Sequence, residues 1–200
     1  SIHPNSHRIK IMKTKIDVKQ TNITLLEIDA IVNAANESLM GGGGVDGAIH
    51  RAAGIDLKAE CRSLGGCPTG TAKITHGYDL PAKYIIHTVG PIWRGGIDNE
   101  AQTLADCYTS SLQVALDNHI KTIAFPAISC GVYGYPIIDA VKIAVKTTYE
   151  FITAHQGIER VIFVAFNDEI FRTYQMALNT AMFAPAKYYK VSNEVKTNDQ

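Results

Sequence analysis

Ala30-Ile31-Val32-Asn33-Ala34-Ala35-Asn36, leading into Gly41-Gly42-Gly43-Gly44-Val45-Asp46-Gly47, decides how the rest of the chain is read. A short apolar run such as Ala30-Ile31-Val32 is the pattern of a strand buried on both faces. The glycine run falls after that strand and before what reads as a helix start. Residues without Cβ let the backbone bend through angles closed to other side chains and bring its N–H groups against a ligand. The helix beyond points its positive end at the same place. The stretch therefore reads as a phosphate cradle, with Asn33, Asn36 and Asp46 supplying polar groups beside a bound anion.

Working outward, Tyr84-Ile85-Ile86-His87-Thr88-Val89, Thr122-Ile123-Ala124-Phe125 and Val161-Ile162-Phe163-Val164-Ala165-Phe166 repeat the buried-strand pattern. Helical spacing separates most of them. Ala101, Leu104, Ala105, Tyr108, Leu112, Ala115 and Leu116 recur at three and four, as do Ile138, Val141, Val145, Tyr149 and Ile152, the latter behind Pro136 at a helix start. A last helix takes Asp168 as its cap and Ile170, Phe171, Tyr174, Leu178 and Ala181 as its stripe. Ile9, Ile11, Ile16 and Val18 alternate with lysines, as in strands with one wet face at a sheet's edge. Alternating strands and helices predict an α/β fold with a mainly parallel sheet, and ligands bind outside the carboxyl ends of such strands.

The chain has 200 residues, 46% hydrophobic and 19% charged, enough for one domain with a continuous core. We expect that domain over residues 1–183, with residues 184–200 as a C-terminal extension or tail. Lys plus Arg equals Asp plus Glu at 19 each, so no bulk charge draws the chain to nucleic acid or to an anionic membrane. No apolar stretch approaches the roughly 18 residues of a membrane helix. Cys61, Cys67, Cys107 and Cys130 are too scattered for a disulfide framework and lack the spacing of a zinc site, which predicts a cytoplasmic protein without a metal.

Val45, Ala48, Ile49, Ala52 and Ala53 form one apolar helix face, which predicts that Asp46 looks outward beside the cradle, with His50 one turn on as a solvated or hydrogen-bonded neighbour. A purely structural Asp46 would add about 0.3 to 1 kcal/mol at the helix dipole. Beside a bound diphosphate that charge would repel, which favours a hydrogen-bonding or catalytic duty. Gly42 to Gly47 satisfies G-x-G-x-x-G, yet Glu60 lies in a helix-like segment rather than ending a second strand, and no Gly-Lys-Ser/Thr follows the glycines. Ser129-Cys130-Gly131-Val132-Tyr133-Gly134-Tyr135-Pro136 is a second glycine loop between a strand and a helix, able to clamp a diphosphate from the other side, with Tyr133 placed to stack on a sugar or base. Ser129 lacks the glycine of a nucleophile elbow, and neither it nor Cys130 is assigned as a nucleophile. His87 reads as a core histidine.

From Thr21 to Met182 the chain resembles the macrodomain family, in its branch of ADP-ribosyl hydrolases and O-acetyl-ADP-ribose deacetylases. Ile28 to Asn36, Gly41 to Gly54, Leu64 to Gly70, Tyr84 to Pro91 and Ser129 to Pro136 carry the resemblance. It implies a three-layer α/β/α sandwich around a mixed, mainly parallel sheet. It also implies Asn36 on a hydroxyl of the distal ribose and Asp46 beside the scissile bond, as the catalytic pair. Ligand binding would fall to Asn22, Ile23, Ala34, Gly43, Gly44, Val45, Ser129, Gly131, Val132, Tyr133 and Phe166, the last stacking on adenine.

The implied reaction is metal- and cofactor-free hydrolysis of ADP-ribose from acidic side chains of proteins, or of O-acetyl-ADP-ribose, by a water that Asp46 positions in a monomeric protein. The alternative is a reader that binds ADP-ribose without cleaving it. One departure stands out: the family's Gly-Asp-Ile-Thr is Thr21-Asn22-Ile23-Thr24 here. An amide oxygen still accepts from adenine's amine, but more weakly than a carboxylate, by on the order of 1 kcal/mol.

Overall fold

The computed structural model describes residues 14–180 and the backbone of 189–193. β1 (Thr14–Gln20) is followed by a short 3-10 turn (Ile23–Leu25), β2 (Ala30–Ala34), α1 (Gly44–Ala53), α2 (Ile55–Leu64), β3 (Ala72–His76) and β4 (Tyr84–Thr88). Then come α3 (Glu100–Asp117), β5 (Thr122–Pro126), α4 (Ile137–Ala154), β6 (Arg160–Ala165), α5 (Asp168–Leu178) and β7 (Tyr189–Asn193). The sheet runs β3-β4-β2-β5-β6-β1-β7. Every neighbouring pair is parallel except β3 with β4, so the sheet is mixed and mainly parallel, as expected.

The strand faces sort the core into two layers. Ala30, Val32, Ile86, Ile123, Phe125, Val161 and Phe163 face α3, α4 and α5. Tyr108, Phe125, Phe163 and Tyr174 pass ring to ring through that layer at centroid distances of 5.0, 6.2 and 4.9 Å. Each such ring, fully buried, contributes about 1.5 to 3 kcal/mol of transfer free energy. Ile31, Ile85, Ala124 and Ile162 face α1 and α2, meeting Ile49, Ala53, Leu57 and Cys61. The outcome is the three-layer sandwich.

Several local expectations change. β1 is not an edge with a wet face: β7 pairs outside it, and Asp17 is fully buried on its second face, held by Arg160 of β6 and with Lys15 Nζ at 3.7 Å. The lysines of β1 thus mask a carboxylate whose charge is neutralised across the strands. Ile9, Ile11 and Ala181 lie outside the described residues. The cap of α5 is Asn167, whose Oδ1 accepts from Ile170 N at 2.9 Å, while Asp168 is the first helical residue. Ile138 stands 61% exposed and Ala101 is exposed, because Ala140 and Ala144 in α4 and Cys107 and Ser111 in α3 take the inward positions. β3 has no apolar run; it is an edge strand whose Lys73 Nζ reaches the carbonyls of Leu64 and Gly66 behind α2.

Strands β1, β2, β4, β5 and β6 all point their carboxyl ends to one side. Loops leaving those ends surround a shared opening.

Candidate functional site

That opening is a cleft of about 810 Å³, and the strand ends Gln20, Ala34, Pro126 and Ala165 form its floor, with Gly90 just beyond β4. Asn22, Ile23, Ala34, Asn36, Gly43, Gly44, Val45, Asp46, Ser129, Gly131, Val132, Tyr133 and Phe166, the residues singled out in the sequence, all line it. They do so from loops far apart in the chain.

One wall is the start of α1. Gly43 occupies the N-cap position with φ −96° and no side chain capping the helix, so the first-turn N–H groups are left for a ligand. Gly44 has φ +57°, a left-handed conformation that glycine adopts without steric cost. The opposite wall is the loop after β5. Its ends are fixed by Cys130 N to Ala127 O and Tyr135 N to Ser129 O, and among the described residues the N–H groups of Gly131, Val132 and Tyr133 make no backbone bond. They remain available to an anion.

Ser129 carries φ +65°, and its hydroxyl donates to Pro91 O at 2.8 Å, which ties this loop to the one after β4. Trp93 N donates to Tyr133 O at 2.8 Å and ties it again. A Cβ on Gly90 would run into the Ser129 side chain, so the two loops pack without a gap. Burial pushes the Cys130 thiol up to about 12, so no thiolate forms at neutral pH.

Asp46 departs from expectation. It is 5% exposed, on the same helix face as Ile49 and Ala53, rather than turned outward. An apolar stripe counts only apolar residues, whereas this face also carries a polar contact with the sheet. Asn33 Nδ2 donates to Asp46 Oδ1 at 2.9 Å, and His50 Nε2 lies 3.4 Å from the same oxygen. Burial raises the Asp46 carboxyl above its ordinary value, opposed by the Asn33 bond and by His50.

The second oxygen faces the cleft. A Cβ on Gly42 would stand 3.0 Å from Asp46 Oδ2 and 3.5 Å from Asn36 Nδ2, so both atoms lie close to one point beside a residue with no side chain. Asn36 is held by its own bonds, Nδ2 to Gly41 O at 2.9 Å and Oδ1 from Ser38 Oγ at 2.7 Å. A carboxylate oxygen and an amide donor thus converge beside the uncapped helix end. The sequence reading gave Asn33 only as a polar group beside the anion, His50 only as a solvated or hydrogen-bonded neighbour of Asp46, and Gly90 no role of its own. The signal for Asn33 was present, since it is the last buried polar residue of the strand that feeds the glycines.

At the far end, Phe166 offers a ring in a residue 64% exposed. Asn22 differs from its expected role there. Its Oδ1 already accepts from Thr24 N at 3.0 Å and from Thr24 Oγ1 at 2.7 Å, capping the 3-10 turn. The amide therefore offers the cleft an NH2 donor rather than an acceptor. The buried Oε1 of Gln20, at the same end, has no hydrogen-bond partner among the described residues.

The model of the Macro domain family matches residues 32–144. The chain is 59% identical to the ADP-ribose glycohydrolase MACROD2 of Xenopus laevis over 82% of its length, spanning 40% of that protein. It is 56% identical to the O-acetyl-ADP-ribose deacetylase of Escherichia coli K12, over 84% of this chain and 97% of that one. The Trypanosoma brucei macrodomain, solved in complex with ADP-ribose, superposes with a TM-score of 0.77 at 43% identity, covering 82% of this chain and 69% of that one.

Proposed function

The chain belongs to the macrodomain family, and from that footing we propose that it is a hydrolase of ADP-ribosyl esters. It releases ADP-ribose from acidic side chains of proteins, or acetate from O-acetyl-ADP-ribose. The observation that carries this reading is the convergence of Asp46 Oδ2 and Asn36 Nδ2 above Gly42, next to two sets of free backbone N–H groups. The amides of Gly44, Val45 and the Gly131 to Tyr133 loop bind the diphosphate, which explains how a chain of zero formal net charge holds a dianion. Phe166 stacks on the base. Asn36 donates to the distal ribose and sets the reacting carbon near a water.

Asp46 Oδ2 takes a proton from that water as the water oxygen bonds to the reacting carbon. One C–O bond of the ester breaks and the displaced oxygen leaves with the electron pair, a carboxylate as the anion and a sugar oxygen by taking up the proton held on Asp46. The leaving carboxylate or sugar oxygen makes this an activated bond, so positioning plus one carboxylate suffices and no metal or cofactor enters. A reader would need no carboxylate at this spot, where it faces bound phosphate. The reading includes a monomer acting in the cytoplasm; its four free cysteines suit a reducing compartment.

Calorimetry with ADP-ribose and a release assay on mono-ADP-ribosylated protein test both halves, and binding without release would leave only the reader. The pH dependence is a further expected result. Because burial raises the Asp46 carboxyl, kcat falls on the acid side at a pH above that of an ordinary aspartate, as the base becomes protonated. A pH–rate profile with its acid limb at an ordinary carboxylate value would contradict the assignment.

Asn22→Asp gives a separate expected gain. One carboxylate oxygen would keep the Thr24 cap, and the other would offer the base a charged acceptor that Asn22 lacks. ADP-ribose should then bind about 5-fold more tightly, from about 1 kcal/mol. Equal or weaker binding by calorimetry would show that the base does not reach this turn.

A further inference from the structure

Asn33 of β2 and His87 of β4 are register partners, so their side chains leave the same face of the sheet beneath α1 and α2. Both are fully buried. The NH2 of Asn33 is 2.9 Å from Asp46 Oδ1 and 3.1 Å from His87 Nδ1. An amide nitrogen only donates, so His87 Nδ1 must accept and the ring proton must sit on Nε2. There it meets Thr75 Oγ1 at 2.9 Å, and the Thr75 hydroxyl in turn lies 3.1 Å from His76 O. Every proton along this line then has an acceptor: Nε2–H on Thr75, one Asn33 N–H on His87 and the other on Asp46. Turning the Asn33 amide over would set its carbonyl against the Asp46 carboxylate.

We propose that His87 is a positioning residue for the hydrolysis: by accepting one amide hydrogen of Asn33, it locks the other on Asp46 Oδ1 and leaves Oδ2 as the oxygen that faces the water. The inference rests on Asp46 acting as the base. His87 itself does not line the cleft. The remaining ionisable groups around the ring are compatible with a neutral acceptor. The Cys61 thiol is 3.9 Å from Nε2 and pushed up to about 11, His50 is 6.5 Å away between centroids, and burial pushes His87 down to about 3. A charged His87 would carry a proton on Nδ1 and expel Asn33 from its place.

Nitrogen NMR of the histidine rings in the folded wild-type protein is the first test, with the Nε2–H tautomer of His87 expected across neutral pH. An Nδ1–H ring would overturn the proposal. In the second, His87→Leu should lower kcat about 10- to 100-fold, with ADP-ribose affinity unchanged by calorimetry. Its acid limb should move to higher pH, because Asp46 loses the donor that favours its charged form. His87→Asn, whose amide oxygen falls near the position of Nδ1, should recover most of the loss.

Should the leucine variant not fold, Thr75→Val removes the acceptor of Nε2–H while keeping the ring, and a smaller loss with the same upward limb is expected. Wild-type kcat and limb in either folded variant, or kcat and affinity falling together with the limb unmoved, would overturn the proposal. Failure of the base assignment would show differently, as unchanged turnover in an Asp46 variant, and would leave the tautomer result standing.

Discussion

Asp46→Ala should lower turnover by about 10²- to 10⁴-fold, the range spanned by a positioned general base, while ADP-ribose binding stays within a few-fold of wild type. The split follows from where the two oxygens point. Oδ1 is taken up inside the protein by Asn33, and Oδ2 faces the spot above Gly42 where a water would meet the reacting carbon. In the proposed complex neither oxygen holds the diphosphate, which falls to the backbone amides. Removing the carboxylate also removes its repulsion of bound phosphate, so affinity has no reason to fall. The variant does leave the buried Asn33 N–H without its acceptor, a cost of about 1 to 3 kcal/mol in stability. Asp46→Asn separates that cost from the chemistry: its amide oxygen still accepts from Asn33, but no base remains. Release of ADP-ribose from a modified acidic side chain is the readout for both, and unchanged turnover in either would remove Asp46 from the mechanism.

What could be seen in the sequence was what is decided locally. The glycine run, the loop from Ser129 to Tyr135 and the strands before them are set by residues within a few positions of each other, and their place on one cleft follows from strand direction. The face taken by Asp46 could not be seen in the same way. Reading the helix by its apolar residues turns any carboxylate outward, yet α1 buries Asp46 beside Ile49 and Ala53 because Asn33 and His87 wait on the sheet below.

That partnership depends on β2 lying next to β4, a pairing between residues 54 positions apart. β3 was invisible for a related reason, since as an edge strand it buries little and alternates lysine and threonine with apolar residues. Asn22 illustrates a third limit. The residue is legible, but which end of its amide meets the cleft depends on the Thr24 bonds that orient it.

Gly44→Val should weaken ADP-ribose binding by about 100-fold or more, equivalent to at least about 2.7 kcal/mol, and should do so without collapsing the domain. The conformation comes first: φ is +57° at this position, and a β-branched residue there carries strain of about 1 to 3 kcal/mol. The second effect is on the ligand. A Cβ built on Gly44 meets no protein atom within 4 Å, so the added isopropyl group enters the open cleft where a phosphate must approach the helix N–H groups. Holding the phosphate away forfeits charge-assisted hydrogen bonds, each of about 1.5 to 3 kcal/mol. Gly47→Ala makes the contrasting control, because there a Cβ would lie 2.5 Å from the Gly42 carbonyl oxygen and must disturb the glycine loop itself. Calorimetric titration of Gly44→Val, with its melting temperature recorded alongside, decides the matter. A folded variant that binds ADP-ribose with wild-type affinity would mean that the phosphates are held somewhere other than the start of α1.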